Sequence, residues 1–329
     1  MNPPDRKVRW GVLGYARIAR ESLIPAIRRS ANSEFEAIAS RDEAKLSECR
    51  GRFGEVRCYR AYGELLDDPG IDVVYIPLPN ALHREWTVRA AERGKHILCE
   101  KPLGLSAAEC RTMVEACRSN GVILMEAFMY RYTDRVRRVL EVLRSGALGE
   151  VRFVGSTFRF LLSNPASIKL RPELGGGALY DVGCYPINLA GLVADSVAGT
   201  QPGEIRPESV AAGFVREGGV DVSFSGVLKY PSGLIASLNA GFKSHRRVCS
   251  EIIGTQGVLE VPDTFFDNAG GLTLTTGDAK TVIPVAESDR YRAEVEDFAD
   301  AVRTGRPPQF GLAETVRNAE TLDRLLASG

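Results

Sequence analysis

Three short stretches of this sequence hold side chains that can do chemistry, and two of them follow an apolar run. Glu100-Lys101-Pro102 comes directly after His96-Ile97-Leu98-Cys99. A lysine at the end of a buried strand can polarise or protonate a carbonyl oxygen. Gly14-Tyr15-Ala16-Arg17-Ile18-Ala19 comes directly after the run 8–13. A G-x-G-x-x-G/A turn between strand and helix lets the backbone approach a pyrophosphate seated on the helix N-terminus. Here Ala16 replaces the middle glycine, which crowds that approach slightly. The third stretch is Gly175-Gly176-Gly177 through Asp181 to Tyr185-Pro186. If a helix begins near Asp181, then Asp181 and Tyr185 are i, i+4 neighbours on one face. Pro186 must then lie in or near the first turn, or kink the helix. The three glycines allow close approach to a ligand.

Two further segments bear on the ligand. Phe35-Glu36-Ala37-Ile38-Ala39 reads as a strand and ends in Ser40-Arg41. An NAD enzyme places Asp or Glu about 20 residues past the glycine turn to hold the ribose. A hydroxyl and a guanidinium suit a 2′-phosphate instead, so NADP is expected in preference to NAD. Asp42 is the alternative ribose acid, but a helix N-cap explains it equally well. Pro77, Leu78, Pro79, Asn80 and His83 follow the strand 72–76. Ligands collect at strand carboxyl ends in such sheets. Capping by Asn80 and helix packing by His83 are the competing explanations.

The elements that must position these residues fall into two patterns. To about residue 127, continuous apolar runs (8–13, 35–39, 72–76, 96–99 and 122–125) alternate with helical segments (17–29, 42–52, 81–92 and 106–120). That predicts a doubly wound parallel sheet, a Rossmann domain over 1–127. Beyond it, period-2 segments at 151–160, 220–230, 234–242, 252–261 and 272–285 are joined by Gly, Pro, Ser and Asp turns. They predict an α+β domain over 128–329 with an antiparallel or mixed sheet covered on one face. Helices are expected at 135–144, 289–302 and 313–326.

Composition excludes several classes. The 329 residues hold 42 Lys+Arg against 42 Asp+Glu, which argues against nucleic-acid or membrane-surface binding. There are 7 Cys without a C-x-x-C pair and only 3 His. They predict reduced thiols in a cytoplasmic protein and no metal site. The N-terminus has no apolar segment behind it, so no secretory leader is expected. No run of apolar residues is long enough to span a bilayer.

The chain resembles the Gfo/Idh/MocA oxidoreductase family. The resemblance is carried by Gly11-Val12-Leu13-Gly14 with Ile18-Ala19, Pro79-Asn80 with His83, Glu100-Lys101-Pro102 and Met125-Glu126-Ala127-Phe128-Met129-Tyr130-Arg131. It continues through residues 175–186 and the segment holding Tyr291, Glu294 and Phe298. It implies hydride transfer between a nicotinamide cofactor, NADP or NADPH, and a carbohydrate carbon. The implied catalytic residues are Lys101, Tyr185 and Asp181. Tyr185 would exchange the proton at the substrate oxygen, Lys101 would hold that oxygen, and Asp181 would orient Lys101 or bind a hydroxyl. Implied cofactor contacts are Gly14, Tyr15, Ala16, Arg17, Ile18, Ser40, Arg41, Pro77, Leu78, Asn80, His83, Glu100 and Lys101. Implied substrate contacts are Tyr130, Arg131 and Arg171. The resemblance also implies that the second domain is built on a large open, mostly antiparallel sheet, which is expected to form a homodimer or homotetramer.

Three readings of function compete. A nucleotide-linked 3-keto-6-deoxyhexose reductase is slightly favoured, with Lys169, Arg171, Lys243, Arg246 and Arg247 available to hold a second pyrophosphate. A free aldose or trans-dihydrodiol dehydrogenase is the alternative. The third is a non-catalytic NADP-sensing regulator, against which retention of Lys101, Asp181 and Tyr185 argues. Tyr132-Thr133-Asp134-Arg135 departs from the pattern of many sugar-specific members, so substrate recognition does not transfer from them.

Overall fold

The computed structural model describes residues 6–329. In chain order the elements begin β1 (Val8–Leu13), α1 (Ile24–Arg29), β2 (Ser33–Ala39), α2 (Glu43–Phe53), β3 (Arg57–Tyr59), α3 (Tyr62–Leu66) and β4 (Val73–Ile76). Next come α4 (His83–Glu92), β5 (His96–Glu100), α5 (Ala107–Ser119), β6 (Leu124–Ala127), α6 (Asp134–Ser145), β7 (Val151–Leu161) and α7 (Cys184–Ala198). The chain then forms β8 (Ser209–Glu217), β9 (Val220–Lys229), β10 (Ile235–Gly241), β11 (Lys243–Gly254) and β12 (Gly257–Pro262). It ends with β13 (Gly270–Thr276), β14 (Ala279–Val285), α8 (Arg290–Thr304) and α9 (Leu312–Ser328).

The chain divides into two compact units. One runs through Gly104, resumes at Ala108–Met129 and adds Asp289–Leu312. Its six strands are all parallel, in the order β3-β2-β1-β4-β5-β6. The central strands β1, β4 and β5 are buried on both faces, which is why they read as unbroken apolar runs. Beyond the boundary expected at 127/128, the chain returns α8 to this first unit. Phe298 of α8 packs on Trp10 of β1 with ring centroids 5.8 Å apart. Asn32 donates to the Glu296 carbonyl at 2.9 Å and to Asp300 at 2.8 Å, pinning the helix beside β2. A helix returning from far along the chain leaves no local mark of its destination.

The second unit comprises Leu105–Ala107, Tyr130–Ser288 and Ala313–Gly329. Its eight-stranded sheet has the order β14-β13-β12-β11-β7-β10-β9-β8, antiparallel except where β10 runs parallel to β7. The expected strand 252–261 is the end of β11 plus β12, and 272–285 is the hairpin β13–β14. The sequence reading also missed β8 and most of β11.

Both helices that follow a functional turn contain a wide, π-helical turn just before a proline. Ala19–Leu23 precedes Pro25 in α1, and Leu179–Gly183 precedes Pro186 in α7. Proline lacks the N–H for the preceding carbonyl and its ring clashes with it. A wider turn moves that carbonyl aside, so the helix continues without a break.

α7 is buried on nearly every side from Cys184 to Asp195. Two buried ion pairs surround it: Arg317 with Asp195, and Arg131 with Glu314. Asp195 also accepts from the N–H groups of Gly203 at 2.8 Å and Ile205 at 3.0 Å. Gly191 lets the Arg317 guanidinium lie on the helix, since a β-carbon there would sit 2.5–2.8 Å from it. Gly191→Ala should therefore lower stability by about 2–4 kcal/mol through the displaced buried charge. Gly51, exposed within α2 with nothing within 4 Å of an added β-carbon, is the contrast. Gly51→Ala should raise stability by about 0.5–1 kcal/mol. Urea unfolding of both variants checks the pair; equal effects would refute the packing argument.

Candidate active site

In the first unit, parallel pairing brings the carboxyl ends of β1, β2, β4 and β5 to one edge. Gly14 stands at the end of β1 with φ +96°, a conformation that a side chain would strain. Its N–H donates to the Ala39 carbonyl at 2.8 Å, and an added β-carbon would press on Leu78 at 3.0 Å. The backbone at 14–16 thus opens toward the helix that begins at residue 17. Ala16 and Ile18 are partly buried and Arg17 is exposed. Tyr15 differs from the expected ligand contact. Its side chain is buried, with the Arg20 guanidinium over its ring at 5.9 Å. Burial pushes its phenol up to about 12. The residue can serve a cofactor only through its backbone.

At the end of β2, Ser40 is buried and its hydroxyl accepts from Asp42 N–H at 3.2 Å. Arg41 is exposed and makes no hydrogen bond or ion pair among the described residues. Asp42 caps α2, accepting from Ala44 N–H at 3.0 Å and Lys45 N–H at 3.4 Å. Capping thus engages Oδ1 of Asp42, the residue weighed as the alternative ribose acid. These residues fit a dinucleotide bearing a 2′-phosphate: a glycine turn free of side-chain bulk, a helix N-terminus and an unengaged guanidinium.

Pro77 and Leu78 are buried, and Asn80 opens the short 3-10 turn Asn80–Leu82 before α4. The N-cap of α4 is Leu82 rather than Asn80. His83 requires a correction, because its side chain is wholly buried. Its Nδ1 lies 2.9 Å from the Pro102 carbonyl and its Nε2 lies 2.9 Å from the Leu78 carbonyl. It ties two loops together and shows no surface to a ligand. Glu100 accepts from the Tyr75 hydroxyl at 2.5 Å and from Lys101 N–H at 3.3 Å. Leu103 N–H donates to Glu126 at 2.9 Å, which anchors the chain just past Lys101. Lys101 itself is partly buried and joined to Pro102 by a cis peptide bond.

In the second unit, Asp181 lies in the wide turn before α7, and Lys169 Nζ is 2.6 Å from its Oδ2. Sequence reasoning offered Lys169 only as a phosphate ligand. The glycines at 175–177 approach the chain's own backbone. Gly176 N–H donates to the Arg171 carbonyl at 3.0 Å and Gly177 N–H to the Lys169 carbonyl at 2.9 Å. A β-carbon at Gly176 would meet that backbone at 2.7 Å. Gly177 has φ +126°, and a β-carbon there would sit 2.3 Å from Asp221 Oδ1. Asp221, a residue the sequence did not flag, accepts from Leu179 N–H at 2.7 Å and so fixes the start of the wide turn. Burial pushes its carboxyl above the ordinary range.

Tyr185 is 4% exposed, within an aromatic cluster. Its ring centroid lies 5.4 Å from Phe158, 5.3 Å from Phe265 and 5.8 Å from Tyr130. Tyr130 and Arg131 depart from the expected substrate contacts. Tyr130 is fully buried, and its hydroxyl donates to Asn188 Oδ1, one turn beyond Tyr185. Arg131 is buried against Glu314 and also donates to Asn188 at 3.3 Å. Both hold α7 in place. Arg171 is exposed and ion-paired with Glu173 at 2.5 Å. Among the described residues no group of three His, Cys, Asp or Glu could hold a metal ion, and no helix is long and apolar enough to cross a membrane.

Residues 8–128 match the model of an oxidoreductase family with an NAD-binding Rossmann fold, and residues 136–260 match the GFO/IDH/MocA C-terminal domain. A D-xylose 1-dehydrogenase (NADP(+)) of Haloferax volcanii is 40% identical over 97% of this chain and 96% of its own. A dTDP-3,4-didehydro-2,6-dideoxy-alpha-D-glucose 3-reductase of Saccharopolyspora spinosa is 35% identical over 91% and 89%. Among solved structures, the 3-ketoreductase KijD10 of Actinomadura kijaniata, with NADP and TDP-benzene, superposes with a TM-score of 0.91 at 29% identity. That match covers 98% of both chains.

Burial holds the His83 pKa below the ordinary imidazole value, against the opposing pull of its two carbonyl partners. The unfolded chain therefore binds this proton at a higher pH than the folded one. The resulting stability is present above about pH 6.5 and is lost as pH falls, by up to about 1.4 kcal/mol per pH unit. Urea unfolding between pH 5 and 7.5 should show this slope in the wild type and a shallower one in His83→Asn. Identical slopes would contradict the assignment.

Proposed function

The chain belongs to the Gfo/Idh/MocA oxidoreductase family, and from that premise we propose an NADP-dependent sugar dehydrogenase that oxidises a free aldose. The observation that carries the choice of substrate is the pairing of the cations available for a nucleotide handle. Lys169 pairs with Asp181, Arg171 with Glu173, Lys243 with Glu217 at 2.6 Å and Arg246 with Asp263 at 2.9 Å. Five candidate cations thus come with four carboxylates. A diphosphate gains little from cations that already face carboxylates. This moves the balance from the nucleotide-linked reductase, slightly favoured on sequence, to the free sugar. The xylose dehydrogenase of H. volcanii supports the same choice. The likeness to KijD10 supports the second reading, reduction of a nucleotide-linked ketosugar.

We infer the roles from the family resemblance and from the chemistry of the side chains. The backbone at Gly14–Ala16 and the helix N-terminus behind it hold the pyrophosphate, and Ser40 with Arg41 holds the 2′-phosphate. Leu78 and Asn80 line the dinucleotide. The bound nicotinamide supplies the hydride acceptor. Lys101 stabilises charge on the substrate oxygen with its ammonium, and Tyr185, acting as its phenolate, takes the proton from that oxygen as the hydride leaves the carbon. Asp181 binds a neighbouring sugar hydroxyl and keeps Lys169 beside the substrate. Glu100, held by Tyr75, stiffens the backbone that presents Lys101.

We also propose that the chain forms a homo-oligomer through the open face of its eight-stranded sheet. Leu161, Val215 and Val227 are 66%, 57% and 43% exposed, and the strand register sets all three on one face. Light scattering of the full chain reads this directly; a monomer at micromolar concentration contradicts it. For the reaction, nicotinamide absorbance should show turnover of NADP with pentoses and hexoses. Lys101→Ala should lower kcat by about 10²–10³ while NADPH affinity changes less than about threefold. Undiminished kcat would remove Lys101 from the mechanism. Silence with free sugars beside turnover of a nucleotide-linked ketosugar would install the second reading.

A further inference from the structure

Tyr62 stands at the cofactor edge with no part in the roles assigned above. It opens α3, whose first turn is fixed by Glu64. That carboxylate accepts the N–H groups of Arg60 at 3.2 Å and Ala61 at 3.3 Å. The Tyr62 ring meets Trp86 edge-on, with centroids 4.8 Å apart and planes at 88°. The Arg89 guanidinium covers Trp86 at 4.8 Å. A phenol held this way keeps its hydroxyl in one place. That place is over the glycine turn, since a β-carbon at Gly14 would lie 3.5 Å from the Tyr62 hydroxyl. The hydroxyl has no hydrogen-bond partner among the described residues. The Arg41 charge reaches it and offsets part of the rise that burial imposes on the phenol's pKa. The loops after β2 and β3 are joined, with Ser40 N–H donating to the Tyr59 carbonyl at 3.0 Å.

We propose that Tyr62 is a cofactor-binding residue whose hydroxyl donates to the 2′-phosphate on the adenosine ribose, beside Arg41. The inference rests on the NADP reading above and adds a residue that selects NADP over NAD. A phosphomonoester offers three acceptor oxygens. A guanidinium covers two of them in a fork, and a neutral phenol can serve another without repelling the guanidinium. The geometry suits this division, because Ser40 N–H ties the end of β2 to Tyr59, three residues before Tyr62, and the Arg41 charge is felt at the phenol.

The test is titration of the full-length wild type and Tyr62→Phe with NADPH and with NADH, read by nicotinamide fluorescence. Phenylalanine keeps the ring against Trp86, so an unchanged melting temperature shows the fold intact. The Kd for NADPH should rise about tenfold, while that for NADH moves less than about twofold. An unmoved NADPH Kd overturns the proposal. Equal weakening of both cofactors also overturns it, because the hydroxyl would then serve a group that both carry. A wild type that binds NADPH no better than NADH overturns the NADP reading and this inference together. Preference for NADPH in the wild type with no change in Tyr62→Phe overturns this inference alone.

Discussion

Parallel pairing of β1 with both β2 and β4 is the constraint from which the first unit follows. It fixes β1 at the centre and points three strand ends the same way. The glycine turn, Ser40-Arg41 and the Pro77–Asn80 loop then meet at one edge without any side chain steering them there. β5 extends the set and delivers Glu100 and Lys101. The order of strands reverses at β1, which opens a crevice at the carboxyl edge where a dinucleotide fits. Crowding completes the arrangement. Leu78 lies near enough to Gly14 that an added β-carbon would press on it at 3.0 Å, and His83 binds the Leu78 and Pro102 loops to each other.

The second unit solves a different problem, which is how to hold one helix by its first turn. α7 is apolar on nearly all sides, so hydrophobic packing alone would leave its rotation weakly specified. Polar groups at defined points remove that freedom. Asn188 receives Tyr130 and Arg131, Asp195 receives Arg317, and Asp221 receives the N–H of Leu179. Buried ionic pairs add little net stability over well-packed apolar residues, but they are costly to break. Their consequence here is placement, since Tyr185 and Asp181 stand on the segment so fixed.

Much of this was legible in the residues. The buried parallel strands announced themselves as apolar runs, and the glycine turn, Arg41 and Lys101 followed from where those runs ended. Other features left no local mark. α7 has no amphipathic stripe because it has no exposed face, so its length was not visible. β3 and α3 are too short for a period, which hid Tyr62. Gly175–Gly177 were read as room for a ligand, whereas the chain's own backbone and Asp221 fill that room. Tyr130, Arg131 and His83 were expected as contacts from the family resemblance, with helix packing the competing explanation for His83. Their burial and hydrogen bonds show instead that they hold the frame. Carboxylates beside Lys169, Arg171, Lys243 and Arg246 could be found only in three dimensions.

Under the proposed function, hydride leaves C1 of a free aldose for NADP. Turnover of an aldose deuterated at C1 tests it most directly, with the recovered NADPH examined by mass spectrometry. Deuterium should appear on the nicotinamide, and the rate should be slower than with the unlabelled sugar. Turnover that leaves the deuterium in the sugar product would contradict it.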